Sequence, residues 1–95
     1  MPTRYEVIGR ETETKQFDVS KYKQLMLGIA EISEPNVSRM INPSIFPKEI
    51  LTNNAINAIY INANNNIIRI YKASTTSVTV QIMSGSNGYV LAGTY

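Results

Sequence analysis

Apolar and polar residues alternate with a period of two along most of this chain, and helical spacing nowhere persists long enough to compete. Tyr5 and Val7 open a first predicted strand that stops near Gly9, and Phe17 and Val19 mark a second over residues 14–19. Ser20-Lys21-Tyr22-Lys23 turns the chain into a third strand over residues 24–32. Leu25, Leu27 and Ile29 share one face of that strand, while Met26, Gly28, Ala30 and Ile32 share the other. A strand apolar on both faces belongs in the centre of a sheet or beneath a second layer.

Glu34-Pro35-Asn36 ends that strand, because proline donates no ladder hydrogen bond and asparagine accepts turn geometry. A short strand is expected over residues 37–41. Asn42-Pro43 and Phe46-Pro47 then fence a predicted loop over residues 42–54, in which Ile45, Phe46, Ile50 and Leu51 are apolar enough to pack over one end of the core. A helical turn fits Pro47-Lys48-Glu49-Ile50, since proline is well tolerated at a first helical position.

The later pattern is cleaner. Ile59 and Ile61 alternate with Tyr60 and Asn62, Asn64-Asn65-Asn66 supplies a turn, and Ile68 and Ile70 alternate with Ile67, Arg69 and Tyr71. Ser74 to Ser77 turns the chain again, Val78, Val80 and Ile82 alternate with Thr79 and Gln81, and Gly85-Ser86-Asn87-Gly88 leads into a last strand from Tyr89. About eight short strands at this spacing predict one all-β domain over residues 1–95, an antiparallel β-sandwich or barrel, with the sandwich favoured.

Charge divides the chain unevenly. Glu49 is the last acidic residue, and the 46 positions after it carry only Arg69 and Lys72. Residues 1–49 hold seven basic and seven acidic side chains, so the net charge of +2 comes wholly from those two. A clustered basic patch of the kind nucleic-acid binding needs is missing. With no cysteine and no histidine, disulfides, zinc fingers, imidazole catalysis and Ser-His-Asp triads are excluded together. The expectation is a non-enzymatic protein without cofactor or metal. The longest purely apolar run, residues 25–30, is far below the roughly 20 residues a spanning helix needs. The first residues lack the apolar stretch of a signal peptide.

Several short motifs have simple structural explanations. Gly85-Ser86-Asn87-Gly88 lacks the lysine and following helix of a phosphate loop, so hairpin turn chemistry accounts for it. Ser20 and Lys21 would point to opposite faces of a strand and do not form a nucleophile pair. Glu11 and Glu13 share a face at the spacing of a carboxylate pair, but only seven acids exist to complete such a site, so a solvated edge is expected. Asn36-Val37-Ser38 matches a glycosylation acceptor that a chain without a signal peptide never presents to the transferase. The candidate binding residues are Tyr60, Asn62, Arg69 and Tyr71. Pairing of the strands that carry them places aromatic rings and amides on one face, a surface for a sugar, a base or another subunit.

The order of segments adds a resemblance. Phe17-Asp18-Val19-Ser20-Lys21-Tyr22-Lys23 precedes Leu25-Met26-Leu27; later come Ile67-Ile68-Arg69-Ile70-Tyr71-Lys72-Ala73-Ser74, Ser77-Val78-Thr79-Val80-Gln81-Ile82, and Gly88-Tyr89-Val90 with Gly93-Thr94-Tyr95. Over about three quarters of the chain this resembles the small β-sandwich domains of phage tail-fibre, receptor-binding and head-fibre proteins. The resemblance implies a jelly-roll-like, trimeric domain, attached to a virion and offering sugar- or protein-binding faces, and it fixes no catalytic or binding residue. Met1 to Arg4 is too short for a fibre shaft, so the implied role is an accessory fibre, receptor-binding or capsid decoration subunit. Its partners would be copies of itself in a homotrimer joined through the charge-poor half, other virion proteins, or a bacterial surface glycan or protein. Its location would be the virion, assembled in the host cytoplasm, with no membrane insertion. The alternative is a small phage protein that inhibits or sequesters a host factor. A third class, a single-strand nucleic-acid binder using Tyr60, Arg69, Tyr71 and Lys72, has the least behind it.

Overall fold

A computed structural model describes residues 5–30, 40–63, 65–85 and 87–95. Two four-stranded antiparallel sheets pack face to face, as the alternation predicts. β1 (Glu6–Glu11), β8 (Tyr89–Thr94), β3 (Gln24–Ala30) and β4 (Met40–Pro47) form the first sheet, in the order β1-β8-β3-β4. β2 (Lys15–Asp18), β7 (Ser77–Ser84), β6 (Asn66–Ser74) and β5 (Ala58–Ala63) form the second, in the order β2-β7-β6-β5. A single helical turn, α1 (Glu49–Thr52), lies between β4 and β5. Four of the seven strand-to-strand connections cross between sheets, whereas β3–β4 and β5–β6–β7 stay within one.

The inner faces are the alternating apolar sets. Leu25, Leu27 and Ile29 of β3 meet Leu91 and Tyr89 of β8 from one side and Ile61, Ile68, Ile70, Val78 and Val80 from the other, all of them buried. Each fully buried aliphatic side chain contributes about 1.5–3 kcal/mol by leaving water. Phe17 meets the ring of Tyr89 edge to face at 6.2 Å, closing the core between β2 and β8. β3 lies between β8 and β4, the central place its two apolar faces require.

One expectation is corrected. Residues 42–47 are not loop but the body of β4, pairing Ile45 with Met26 and Phe46 with Leu25. The prolines that suggested a loop are compatible with this strand because β4 is the edge of its sheet, where a missing N–H costs no ladder bond. A register shift opposite residues 27–29 and a left-handed Asn42, at φ 51°, absorb the irregularity. The helical turn begins at Glu49, within the stretch where it was expected, runs on to Thr52 and buries Leu51. The first strand passes Gly9 through a similar irregularity and reaches Glu11. The expected turn at Glu34-Pro35-Asn36, the glycosylation motif and most of the strand at 37–41 lie outside the described residues.

Turn chemistry follows the sequence where asparagine was prominent: Asn65 is left-handed at φ 65°. Gly85 takes φ 96°, a conformation open to glycine. Its segment is not a hairpin turn, since β7 and β8 belong to different sheets and the chain there steps across the sandwich.

Candidate functional site

The outer face of the β2-β7-β6-β5 sheet brings together all four predicted binding residues. The pairing of β5 with β6 sets Tyr60 directly opposite Arg69, Asn62 opposite Ile67 and Ala58 opposite Tyr71. Residues two apart on a strand share a face, so Tyr60 and Asn62 stand on the same side as Arg69 and Tyr71. Beyond β6 the register continues to Gln81, opposite Arg69, and to Thr79, opposite Tyr71 and in turn opposite Gln16 of β2. The face is therefore two cross-strand rows, Tyr60–Arg69–Gln81 and Ala58–Tyr71–Thr79–Gln16.

Arg69 is held within this grid by two contacts. Its Nε donates a hydrogen bond to Oε1 of Gln81, and its guanidinium carbon lies 4.6 Å from the centroid of the Tyr71 ring, within cation–π range. Tyr71 is thus half-covered by a cation, while Tyr60 is 57% exposed. Asn62 is also exposed, and its carbonyl accepts a 3.0 Å bond from Nδ2 of Asn42, which ties the edge of β5 to β4. Lys72 has the opposite parity and pairs with the buried Val78, so the set proposed for nucleic acid does not share this face.

A second polar cluster lies at the other sheet. The Glu6 carboxylate accepts from the Tyr22 hydroxyl at 3.0 Å through Oε1 and from the Tyr95 hydroxyl at 2.7 Å through Oε2. Lys21 Nζ stands 3.8 Å from the same carboxylate. The bonds from Tyr95 and then Tyr22 hold Glu6 below the usual carboxylate range. Burial, with the Glu6 bond added, pushes the Tyr22 phenol up to about 12. The buried Tyr89 phenol is likewise raised, chiefly by desolvation, and donates to the carbonyl of Glu13 at 2.7 Å.

The remaining motifs resolve as local structure. Glu11 pairs with Lys15 at 3.4 Å on the surface. Asp18 accepts from the backbone N–H of Ser20 at 2.9 Å, which lowers its pKa. Lys48 reaches the carbonyls of Val19 and Ser20 at 3.1 and 2.7 Å and braces the loop between β2 and β3. No group of three or more His, Cys, Asp or Glu among the described residues could hold a metal ion. No helix among them is long and apolar enough to cross a membrane.

Gln81 is the member of the face that sequence reasoning missed, and the Glu6, Tyr22 and Tyr95 cluster was missed altogether. Comparison with known proteins adds nothing to these placements: no family model, curated protein or solved structure matches the chain.

Proposed function

We propose that this chain is a non-enzymatic binding module of a phage or prophage virion, an accessory fibre, receptor-binding or decoration subunit, and that it engages its partner through the outer face of the β2-β7-β6-β5 sheet. The observation that carries the binding assignment is the ordered grid of Tyr60, Arg69, Tyr71 and Gln81. An exposed ring, a positioned guanidinium and flanking amides form a rigid polar surface on sheet residues, where side chains are held in place without lid or loop motion. The virion setting is supported by the resemblance of the strand segments to phage fibre domains. Assembly as a homotrimer is part of the same proposal.

The test is direct. Intact particles from an induced lysate of the encoding strain, banded on a density gradient, are expected to carry this chain when probed with antibody. Recovery of the chain only in the soluble fraction overturns the virion assignment. Particles carrying the Tyr60→Ala/Tyr71→Ala double variant are expected to assemble normally and to adsorb poorly to cells. Unchanged adsorption removes this face from the binding role.

A further inference from the structure

Among the described residues, Arg69 has no carboxylate partner. Every acid of the chain lies at or before Glu49. Its contacts are Gln81, which takes the Nε hydrogen, and the ring of Tyr71 beneath it. Both orient the group, and neither neutralises it. The two terminal nitrogens, which make the forked contact to a planar anion, remain directed by this clamp without an acidic partner. A half-buried cation without a paired carboxylate loses part of its hydration and gains most from an anion brought to it.

The neighbours narrow the anion's carrier. Tyr60, directly opposite Arg69, offers an exposed aromatic ring. Ala58, opposite Tyr71, places only a methyl beside it, and Asn62 and Gln81 supply amides on the same face. A pyranose sets an apolar C–H face against such a ring and hydroxyls against such amides. A protein partner is typically held by anchoring side chains in desolvated pockets, whereas the paired strands here set an exposed ring, a guanidinium and amides side by side in a cross-strand row.

Resting on the binding-face reading above, we infer that the preferred ligand is an acidic glycan of the uronate type, its carboxylate on the Arg69 guanidinium and its sugar ring against Tyr60. This assigns a role to the positive charge that Arg69 places on the face. It also predicts that the site distinguishes a uronate from its methyl ester, two ligands of nearly identical shape.

The probe is tri-galacturonate titrated into isotopically labelled protein and followed by amide chemical shifts. Shift changes are expected to cluster on residues 58–62 and 67–71, and affinity is expected to fall at least tenfold for the methyl ester and for Arg69→Gln. Arg69→Lys keeps the charge without the fork and is expected to fall between, Tyr60→Ala to weaken binding severalfold, and Lys72→Gln to bind as the parent does. Dispersed spectra establish that each variant is folded. Equal binding of acid and ester, or parent-like binding by Arg69→Gln, overturns the inference. Tyr60-dependent binding of neutral maltotriose with no response to the uronate overturns it while leaving the binding face intact. An Arg69-dependent response to a glutamate-rich peptide alone overturns it in favour of a protein partner. Silence toward all three probes overturns it too, and the adsorption measurement on the Tyr60→Ala/Tyr71→Ala variant then decides separately whether the face binds at all.

Discussion

The carboxylate of Glu6 divides its oxygens between two phenols, Tyr22 and Tyr95, that lie 16 and 89 residues away along the chain. Tyr22→Phe keeps the ring and removes the hydroxyl, and is expected to cost about 1 kcal/mol, the net worth of one hydrogen bond, read from the urea midpoint at neutral pH. The same bond has a pH signature. Glu6 has a folded pKa below its ordinary value of 4.5, so its contribution is complete above that value and is lost as pH falls through the folded pKa. Tyr22 is raised from 10 to about 12, so its contribution is complete below pH 10 and is lost as pH rises toward 12. Stability measured against pH is expected to fall at both limits, and both slopes are expected to flatten in Tyr22→Phe. An acid limb as steep as the parent's in a Tyr22→Phe/Tyr95→Phe double variant would place the titrating group elsewhere. None of this cluster was legible in the sequence, because period and parity report faces of single strands and are silent on which distant strands close against one another.

Neighbouring elements constrain substitutions that look mild in isolation. A Cβ placed on Gly93 of β8 would lie 2.6 Å from Cδ1 of Tyr22 and 3.1 Å from Cδ1 of Ile8. The Tyr22 ring is buried and tethered by its hydroxyl, so it cannot swing aside cheaply. Gly93→Ala is expected to cost about 1–3 kcal/mol, the range for overpacking, measured as a lower unfolding midpoint with unchanged slope. A neutral result would show that the ring yields. Lys48→Met is expected to lose about 1–3 kcal/mol through the loop carbonyls it braces, with the change confined by amide exchange to residues 18–23. At this scale the sequence was legible wherever the ladder is regular. β5 and β6 pair without a shift around Asn65, so Tyr60 could be placed against Arg69 from the turn alone. β6 and β7 carry a shift between Lys72 and Ser74. Counting back from Ser74–Ser77 without it sets Ile82 opposite Arg69 and turns the wrong face outward, and this one-residue slip hid Gln81. β4 was hidden for a different reason, since Pro43 and Pro47 signal a loop unless the strand is known to be an edge.

The whole molecule is a flat body, 32 by 31 by 17 Å, with chemically different broad faces. The β2-β7-β6-β5 sheet presents the polar grid. In the other sheet, Val7, Ala92, Met26 and Ile45 form one cross-strand row on the side away from the core, with Ala92 in its middle fully buried. The two ends of this row, Val7 and Ile45, are 45% and 56% exposed and stand on opposite edge strands. The charge-poor half is accordingly split: β5, β6 and β7 build the grid, and β8 lies in the middle of the second sheet. A proposed trimer that leaves the grid free can therefore close through these edges. Cyclic threefold assembly requires two different surfaces on each copy, and Val7 on one edge meeting Ile45 on the next copy's opposite edge satisfies that requirement. Pro43, Pro47 and the left-handed Asn42 oppose simple continuation of the sheet across β4, so the contact is one of side chains. Light scattering of the parent protein is expected to give about three times 10.6 kDa, independent of salt because the contact is apolar. Val7→Glu and Ile45→Glu are each expected to yield monomers. Mixed together they are expected to give a heterodimer, because the intact Ile45 edge of one variant meets the intact Val7 edge of the other, and no trimer, because the remaining edges cannot close. A parent protein that stays monomeric at high concentration, or a trimer that survives either single substitution, would rule this assembly out.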